Sequence, residues 1–306
     1  MTRSPDRPMF HQITIIGTGL IGGSFGLAVK KHGFRARIVG CDRKSVLHKA
    51  RKIHAIDVAI ADPVRACHDS DLVVLATPVG GIIDLVEKLA AQLPATALLT
   101  DVGSTKAEIV RAADRAFGKA ALERFLGGHP MAGKENAGID FADANLFHGA
   151  VWFLTAGREP DNERFAGFSQ MIERIGAKIV RIDAAEHDRL CAWISHVPQM
   201  ISTALAAALV DEYGEGAPLL EAGGRALREM TRISASPYSM WRDIALTNKK
   251  PITDALLRLE QELAHMRENL DTRELERQFE MAYRLKASSP QRHRDTGKTK
   301  SKSNKS

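Results

Sequence analysis

The run Gly17-Thr18-Gly19-Leu20-Ile21-Gly22 spells G-x-G-x-x-G, follows the apolar stretch 13–16 and opens a helical pattern. Asp42 ends the next apolar stretch, about 20 positions after Gly22. Together these make a dinucleotide fingerprint. Gly17 permits the tight turn, Gly19 lets backbone approach a pyrophosphate, and Gly22 lets helix pack on strand. Thr18, Leu20 and Ile21 complete the loop, whose N–H groups face the phosphates. The Asp42 carboxylate suits an adenosine 2′-hydroxyl and therefore NAD. Arg43 beside it can accommodate a 2′-phosphate, so NADP stays open. Thr77-Pro78 and Asp101-Val102-Gly103-Ser104 follow two further strands and should line the same crevice.

His129 lies in Gly127-Gly128-His129-Pro130-Met131-Ala132-Gly133, which reads as a loop in which glycines allow backbone and ligand to approach closely. An imidazole there can take the proton of a hydroxyl as hydride leaves the same carbon. Thr105 and Glu108 form a T-x-x-E capping box. Ser104 then either faces the cofactor or is itself the cap. Arg228 and Arg232 stand four apart in a helical stretch after Gly223-Gly224. They form either a clamp for a dianion or a solvated face paired with Glu221 and Glu229.

These residues need a scaffold to bring them together. Apolar runs at 13–16, 37–41, 71–76 and 97–100 alternate with helical patterns at 20–31, 44–53, 81–92 and 105–117. That alternation predicts an α/β, Rossmann-type doubly wound sheet. Strands at 151–155 and 178–182, with a helix at 162–175 between them, extend it. After Asp183 only helical periodicity remains, at 190–209, 217–233, 239–247 and 253–283. The expected organisation is a dinucleotide-binding domain over 1–182, an all-helical domain over 183–287 and a disordered tail over 288–306.

The chain has 306 residues, enough for about two domains. Its net charge of +6 is concentrated in the tail, which holds six Lys or Arg against Asp295 and carries +5. The rest is nearly neutral, so nucleic-acid binding is not expected. Cys41, Cys67 and Cys191 lie far apart, with no second Cys or His read at metal-ligand spacing. Neither a disulfide framework nor a metal is expected. There is no apolar leader, and the apolar run near 200–210 is too short to span a bilayer. A soluble, cytoplasmic protein with no membrane partner is the expectation.

The motifs G-T-G-L-I-G-G-S (17–24), D-V-G-S-T-K (101–106), G-G-H-P-M-A-G-K-E (127–135), I-S-H-V-P (194–198) and T-R-I-S-A-S-P-Y-S-M-W-R-D-I (231–244) resemble the prephenate/arogenate dehydrogenases of tyrosine biosynthesis. They occur in family order over about residues 11–285. The resemblance implies NAD-dependent oxidative decarboxylation of prephenate to 4-hydroxyphenylpyruvate, or of arogenate to tyrosine with NAD or NADP. It implies His129 as the base at the C4 hydroxyl and Ser104 as the residue orienting that hydroxyl. It implies Arg232 on the ring carboxylate, Arg228 near the side chain, and His196 and Glu135 in the pocket. It also implies a homodimer through the helical domain. The small residues Ala204, Ala206, Ala207 and Ala208, and the stripe Leu256, Leu259, Leu263, Met266 and Leu270, agree with that. Lys134, where many relatives carry a small hydroxyl residue, would favour prephenate's pyruvyl carboxylate. Some members of that family carry a regulatory domain after the helices; with only a polar tail there in this sequence, the expectation is that any tyrosine feedback acts at the active site or the dimer. Two other readings compete with this one. A β-hydroxyacid dehydrogenase would use a helix lysine, and none stands out. A non-catalytic dinucleotide sensor would have no need of His129, Ser104 and Arg232 together.

Overall fold

A computed structural model of the chain describes residues 9–134, 136–155 and 163–288. Glu135 and the tail from 289 onward lie outside them. The chain divides into two compact units, Met1–Ala255 and Leu256–Ser306.

The first unit opens with β1 (Gln12–Ile16), α1 (Leu20–Lys31), β2 (Arg37–Cys41), α2 (Lys44–Lys52), β3 (Val58–Ala59), α3 (Pro63–Cys67), β4 (Leu72–Leu75) and α4 (Val79–Leu89). Next come β5 (Leu98–Asp101), α5 (Ala107–Phe117), α6 (Ala121–Arg124), β6 (Phe125–Pro130), β7 (Val151–Thr155), α7 (Glu163–Arg174) and β8 (Lys178–Arg181). The strands form one sheet in the order β3-β2-β1-β4-β5-β6-β7-β8. Strands β1 to β6 are parallel, β7 runs antiparallel to β6, and β8 is parallel to β7. Alternate residues feed opposite faces. Ile13, Ile15, Leu72 and Val74 enter one apolar core, whereas Ile16, Val73 and Leu75 enter the other. Burial on both sides explains the continuous apolar runs.

Two elements depart from the sequence reading and bear on function. The glycine-histidine motif is strand β6, not a loop. A Cβ on Gly128 would lie 2.6 Å from the Asp101 carbonyl oxygen, and one on Gly127 would lie 2.2 Å from Thr155 Oγ1. The glycines therefore let β6 pack against its neighbours. The capping box is also absent. Helix α5 starts at Ala107, and its first N–H groups are capped by Asp188, 81 residues downstream, with Ala107 N donating to Oδ2 at 2.9 Å. Thr105 Oγ1 instead meets Thr247 Oγ1 at 2.8 Å.

Beyond Asp183 come α8 (Ala184–Cys191), a π-helical turn (Ala192–His196), α9 (Val197–Tyr213), α10 (Ala217–Ala222), α11 (Gly224–Thr231), a 3-10 turn (Arg232–Ala235), α12 (Tyr238–Thr247) and α13 (Lys249–Glu268). The expected single helix over 253–283 is broken at 269–272. Thr272 Oγ1 caps the following α14 (Arg273–Ala287), accepting from Glu274 N. Helices α8 and α9 run on as one helix, Ala184–Tyr213, long and apolar enough by length and composition to cross a membrane. The run judged too short in the sequence was only part of it. Polar side chains along the helix nevertheless bond to other segments: Asp188 to α5, His187 to β6, His196 to Asn248 and Gln199 to the Arg232 turn.

Candidate active site

The carboxyl ends of β1, β4, β5 and β6 lie along one sheet edge. They carry the Gly17–Gly22 loop, Thr77-Pro78, Ser104 and His129 respectively. Crevices at such an edge are where open α/β sheets bind ligands.

At the β1 end, Gly17 has φ +92°, and a Cβ there would lie 2.5 Å from the Ala76 carbonyl oxygen. A Cβ on Gly22 would lie 2.0 Å from the Gly17 oxygen. Gly19 has open space on that side, and no side chain caps α1 above it. An uncapped helix N-terminus beside an open backbone is a cradle for an anion. A cavity of about 590 Å³ adjoins it, lined by Gly17, Asp42, Arg43, Lys44, Pro63 and Thr77 among others. Asp42 accepts from Thr18 N at 2.8 Å, so it also clamps the loop. Thr77 Oγ1 is buried without a partner. The cradle, the acid and this hydroxyl fit a dinucleotide. Arg43 and Lys44 on the same rim leave NADP open.

At the β6 end His129 is 7% exposed and sits in a buried polar cluster that the sequence reading largely missed. His129 Nδ1 lies 2.9 Å from His187 Nε2, and His187 Nδ1 lies 2.9 Å from Asp188 Oδ1. Asp188 Oδ1 also accepts from Lys106 N at 2.7 Å. The Lys106 ammonium pairs with Asp101, both fully buried. Asp101 in turn accepts from Gly103 N at 2.8 Å and Gly128 N at 3.1 Å, tying the Ser104 loop to His129's strand. Burial, reinforced by His187, Lys106 and His196, holds the His129 pKa well below the usual histidine value. Its imidazole is neutral and can accept a proton. Burial likewise lowers His187, although the Asp188 hydrogen bond opposes it, and lowers the Lys106 ammonium.

Cys191 Sγ lies 3.3 Å from His187 Nε2, and its thiol is pushed up to about 12 by burial. His187 and Cys191 are four apart on α8, a histidine–cysteine spacing that the sequence reading overlooked. With His129 they form a three-ligand cluster whose donor atoms lie within 4.8 Å of one another. In that cluster the thiol is protonated and the imidazoles face each other as hydrogen-bond partners.

Among the described residues, Ser104 makes no hydrogen bond with protein. Arg232 is the first residue of the 3-10 turn after α11. It lines a cavity of about 560 Å³ with Gly133, Lys134, Asn136, Ile233 and Ser236. Gly133 and Lys134 lie three and four residues past the end of His129's strand, so the segment that leaves β6 and Arg232 line one cavity. Gln199 on α9 fixes this turn, donating to the Ile233 carbonyl at 2.8 Å. Arg228 is exposed on α11 and is not in that lining, so the expected arginine pair does not converge there. Lys134 is committed to Asp143 at 3.2 Å and to the Phe141 carbonyl at 3.0 Å.

His196 is completely buried at the π-helical turn, a distortion frequent at functional sites. The Asn248 amide nitrogen donates to the Asp188 carbonyl at 2.8 Å and faces His196 Nδ1 at 3.0 Å. His196 Nδ1 therefore accepts and Nε2 carries the proton, without a partner among the described residues. Burial lowers the pKa of His196 to about 4.

Known proteins match the chain over both its parts. The family model for the prephenate dehydrogenase nucleotide-binding domain matches residues 25–181, and that for the prephenate dehydrogenase dimerization domain matches residues 183–287. A prephenate dehydrogenase of Lactococcus lactis is 36% identical over 241 residues, covering 78% of this chain and 65% of that protein. One of Bacillus subtilis is 36% identical over 254 residues, covering 80% and 66% respectively. The chain thus spans just under two thirds of the length of these relatives. The crystal structure of Aquifex aeolicus prephenate dehydrogenase with hydroxyphenyl propionate and NAD+ superposes with a TM-score of 0.81 at 30% identity, covering 90% of this chain and 96% of that one. The chain belongs to the prephenate dehydrogenase family.

Proposed function

We propose that the chain catalyses the NAD-dependent oxidative decarboxylation of prephenate to 4-hydroxyphenylpyruvate. The observation that supports this reading is a cavity that Arg232 lines together with Gly133 and Lys134, a few residues past His129, in a chain that also carries the dinucleotide cradle. NAD+, held by the Gly17–Gly22 loop, the α1 N-terminus, Asp42 and Thr77-Pro78, supplies the hydride acceptor. His129 takes the proton of the C4 hydroxyl, and Ser104, which has no protein partner among the described residues, orients that hydroxyl. Arg232 binds the ring carboxylate. Because a charge-paired carboxylate resists leaving as CO₂, Arg232 serves binding more than bond cleavage. The unpartnered His196 Nε2–H offers a donor to the substrate. The roles that the family resemblance implies for Arg228 and Glu135 remain part of the proposal, although Arg228 does not line the cavity and Glu135 lies outside the described residues. Aromatisation drives the reaction, so the protein has only to orient C4 and accept one proton.

The functional division is placed at 182/183, with a helical segment over 183–287 that serves substrate binding and dimerisation. The dimer is supported by exposed apolar side chains on the helices, Met230, Tyr238, Leu246 and Val210 in one unit and Leu257, Leu263, Phe279 and Met281 in the other. A cytoplasmic location fits the reaction. Arogenate is the second substrate reading. Asp143 already balances the Lys134 charge, which weakens the argument for the pyruvyl carboxylate. Steady-state NAD+ and NADP+ reduction with prephenate and with arogenate tests the proposal. A higher kcat/KM for arogenate replaces the first substrate by the second, and turnover of neither refutes the enzyme reading.

A further inference from the structure

The polar chain behind His129 has a direction that can be read atom by atom. The Asp188 carboxylate only accepts hydrogen bonds. It takes the N–H groups of Lys106 and Ala107 and faces His187 Nδ1 at 2.9 Å. His187 Nδ1 therefore carries the hydrogen, and in the neutral ring Nε2 is a lone pair. That lone pair faces His129 Nδ1 at 2.9 Å, whereas the protonated Cys191 thiol, a weak partner, lies 3.3 Å from His187 Nε2 and 3.9 Å from His129 Nδ1 and does not displace the closer nitrogen. His129 Nδ1 must then be the donor, which leaves its Nε2 bare. Among the described residues that nitrogen has no protein hydrogen bond.

We propose that Asp188 and His187 are positioning residues that hold His129 in the Nδ1–H tautomer, so that Nε2 is the proton acceptor of the reaction. The logic is that of an acid–imidazole pair orienting a catalytic base, with a second imidazole inserted between carboxylate and base. No bond is made or broken in this chain. The hydrogen on His129 Nδ1 stays in place, and the substrate proton goes to Nε2. The cost of error is large: a base in the wrong tautomer presents an N–H where a lone pair is required. The proposal rests on the reading of His129 as the base, but its primary test does not.

Nitrogen-15 NMR of histidine-labelled protein, with His129 assigned from the His129→Asn spectrum, reads the tautomer directly. The wild type should show a protonated Nδ1 and a bare Nε2. A protonated Nε2 with a bare Nδ1 overturns the proposal, whether or not the enzyme turns over prephenate. If the tautomer is as expected and no substrate is oxidised, the relay stands and the reaction assignment falls. In His187→Leu the acceptor is lost, and His129 should populate the Nε2–H tautomer. Its kcat should fall about 100-fold, at the low end of what general acid–base catalysis contributes, with KM for both ligands within about threefold. His187→Gln keeps an acceptor in reach of His129 Nδ1 and should recover about tenfold of that loss. A His187→Leu enzyme with unchanged kcat, or a Gln variant no better than Leu, would also overturn the proposal. Should the Leu variant not fold, the wild-type spectrum and the Gln variant decide.

Discussion

Two sites share the carboxyl edge of the sheet and are built in opposite ways. The dinucleotide cradle is mostly backbone: glycines that make room, an uncapped helix end, and one carboxylate that clamps the loop. The histidine cluster is side chain throughout. Asp101, Lys106, His129, His187, Asp188 and Cys191 come from β5, the turn before α5, β6 and α8, and each leans on the next in near-complete burial. An open backbone site can lose a contact without the fold noticing. A closed polar cluster cannot, because each group it loses leaves a partner unsatisfied.

The sharpest break in that comparison should come at His129 itself. His129→Asn is expected to lower kcat by about 10²- to 10⁴-fold with KM for the dinucleotide unchanged, measured by steady-state kinetics. Comparable in free energy but different in kind, Lys106→Met strands the buried Asp101 carboxylate and should cost about 3–5 kcal/mol of stability in urea unfolding. An unchanged midpoint would show that the ion pair is not what holds the cluster together.

Acid offers a third probe of the cluster. His196, at about 4 in the fold and about 6.5 when unfolded, is kept neutral where the unfolded chain is charged. Its stabilisation is complete above pH 6.5 and drains away as pH falls towards 4, amounting to about 3 kcal/mol. His129 and His187 are lowered too and act in the same sense. Urea melts at neutral pH and near pH 5 should separate, and coincident curves would contradict the burial argument. A smaller effect belongs to Arg232→Ala, which should raise KM for the substrate about 10- to 100-fold with a lesser loss in kcat. Smallest of all, Gly19→Ala meets open space and should leave the unfolding midpoint nearly untouched while weakening NAD+ binding about tenfold by calorimetry. Loss of stability there would erase the contrast between the two sites.

The same contrast explains what the sequence revealed. The cradle is contiguous, and a short apolar run, glycines and a helix pattern within 13–42 announce it without a structure. Helix α1 falls on 20–31 as expected, because its glycine loop and last-turn lysines mark both ends. The cluster is assembled across about 90 positions, and its members look ordinary in isolation. His187-Asp188 reads as the polar part of a helix, and Lys106 as a surface cation. Only the i, i+4 relation of His187 and Cys191 hinted at a shared face. His129 stands out by its glycine-flanked setting and Arg232 by its spacing from Arg228, the family resemblance implies their roles, and β6 still reads as a loop because two glycines and a proline hide a strand. The capping box failed for a related reason. Thr105 and Glu108 satisfy the local rule, but Asp188 supplies a stronger acceptor from elsewhere in the fold.

That distant cap makes the molecule less modular than its two family segments suggest. A fragment ending at 182 would keep every strand and the whole glycine loop, yet α5 would begin on bare amides and His129 would face a void instead of an imidazole. Grafting this nucleotide-binding half onto another partner therefore requires carrying α8 along. The seam visible in the domain boundaries is not where the machine comes apart.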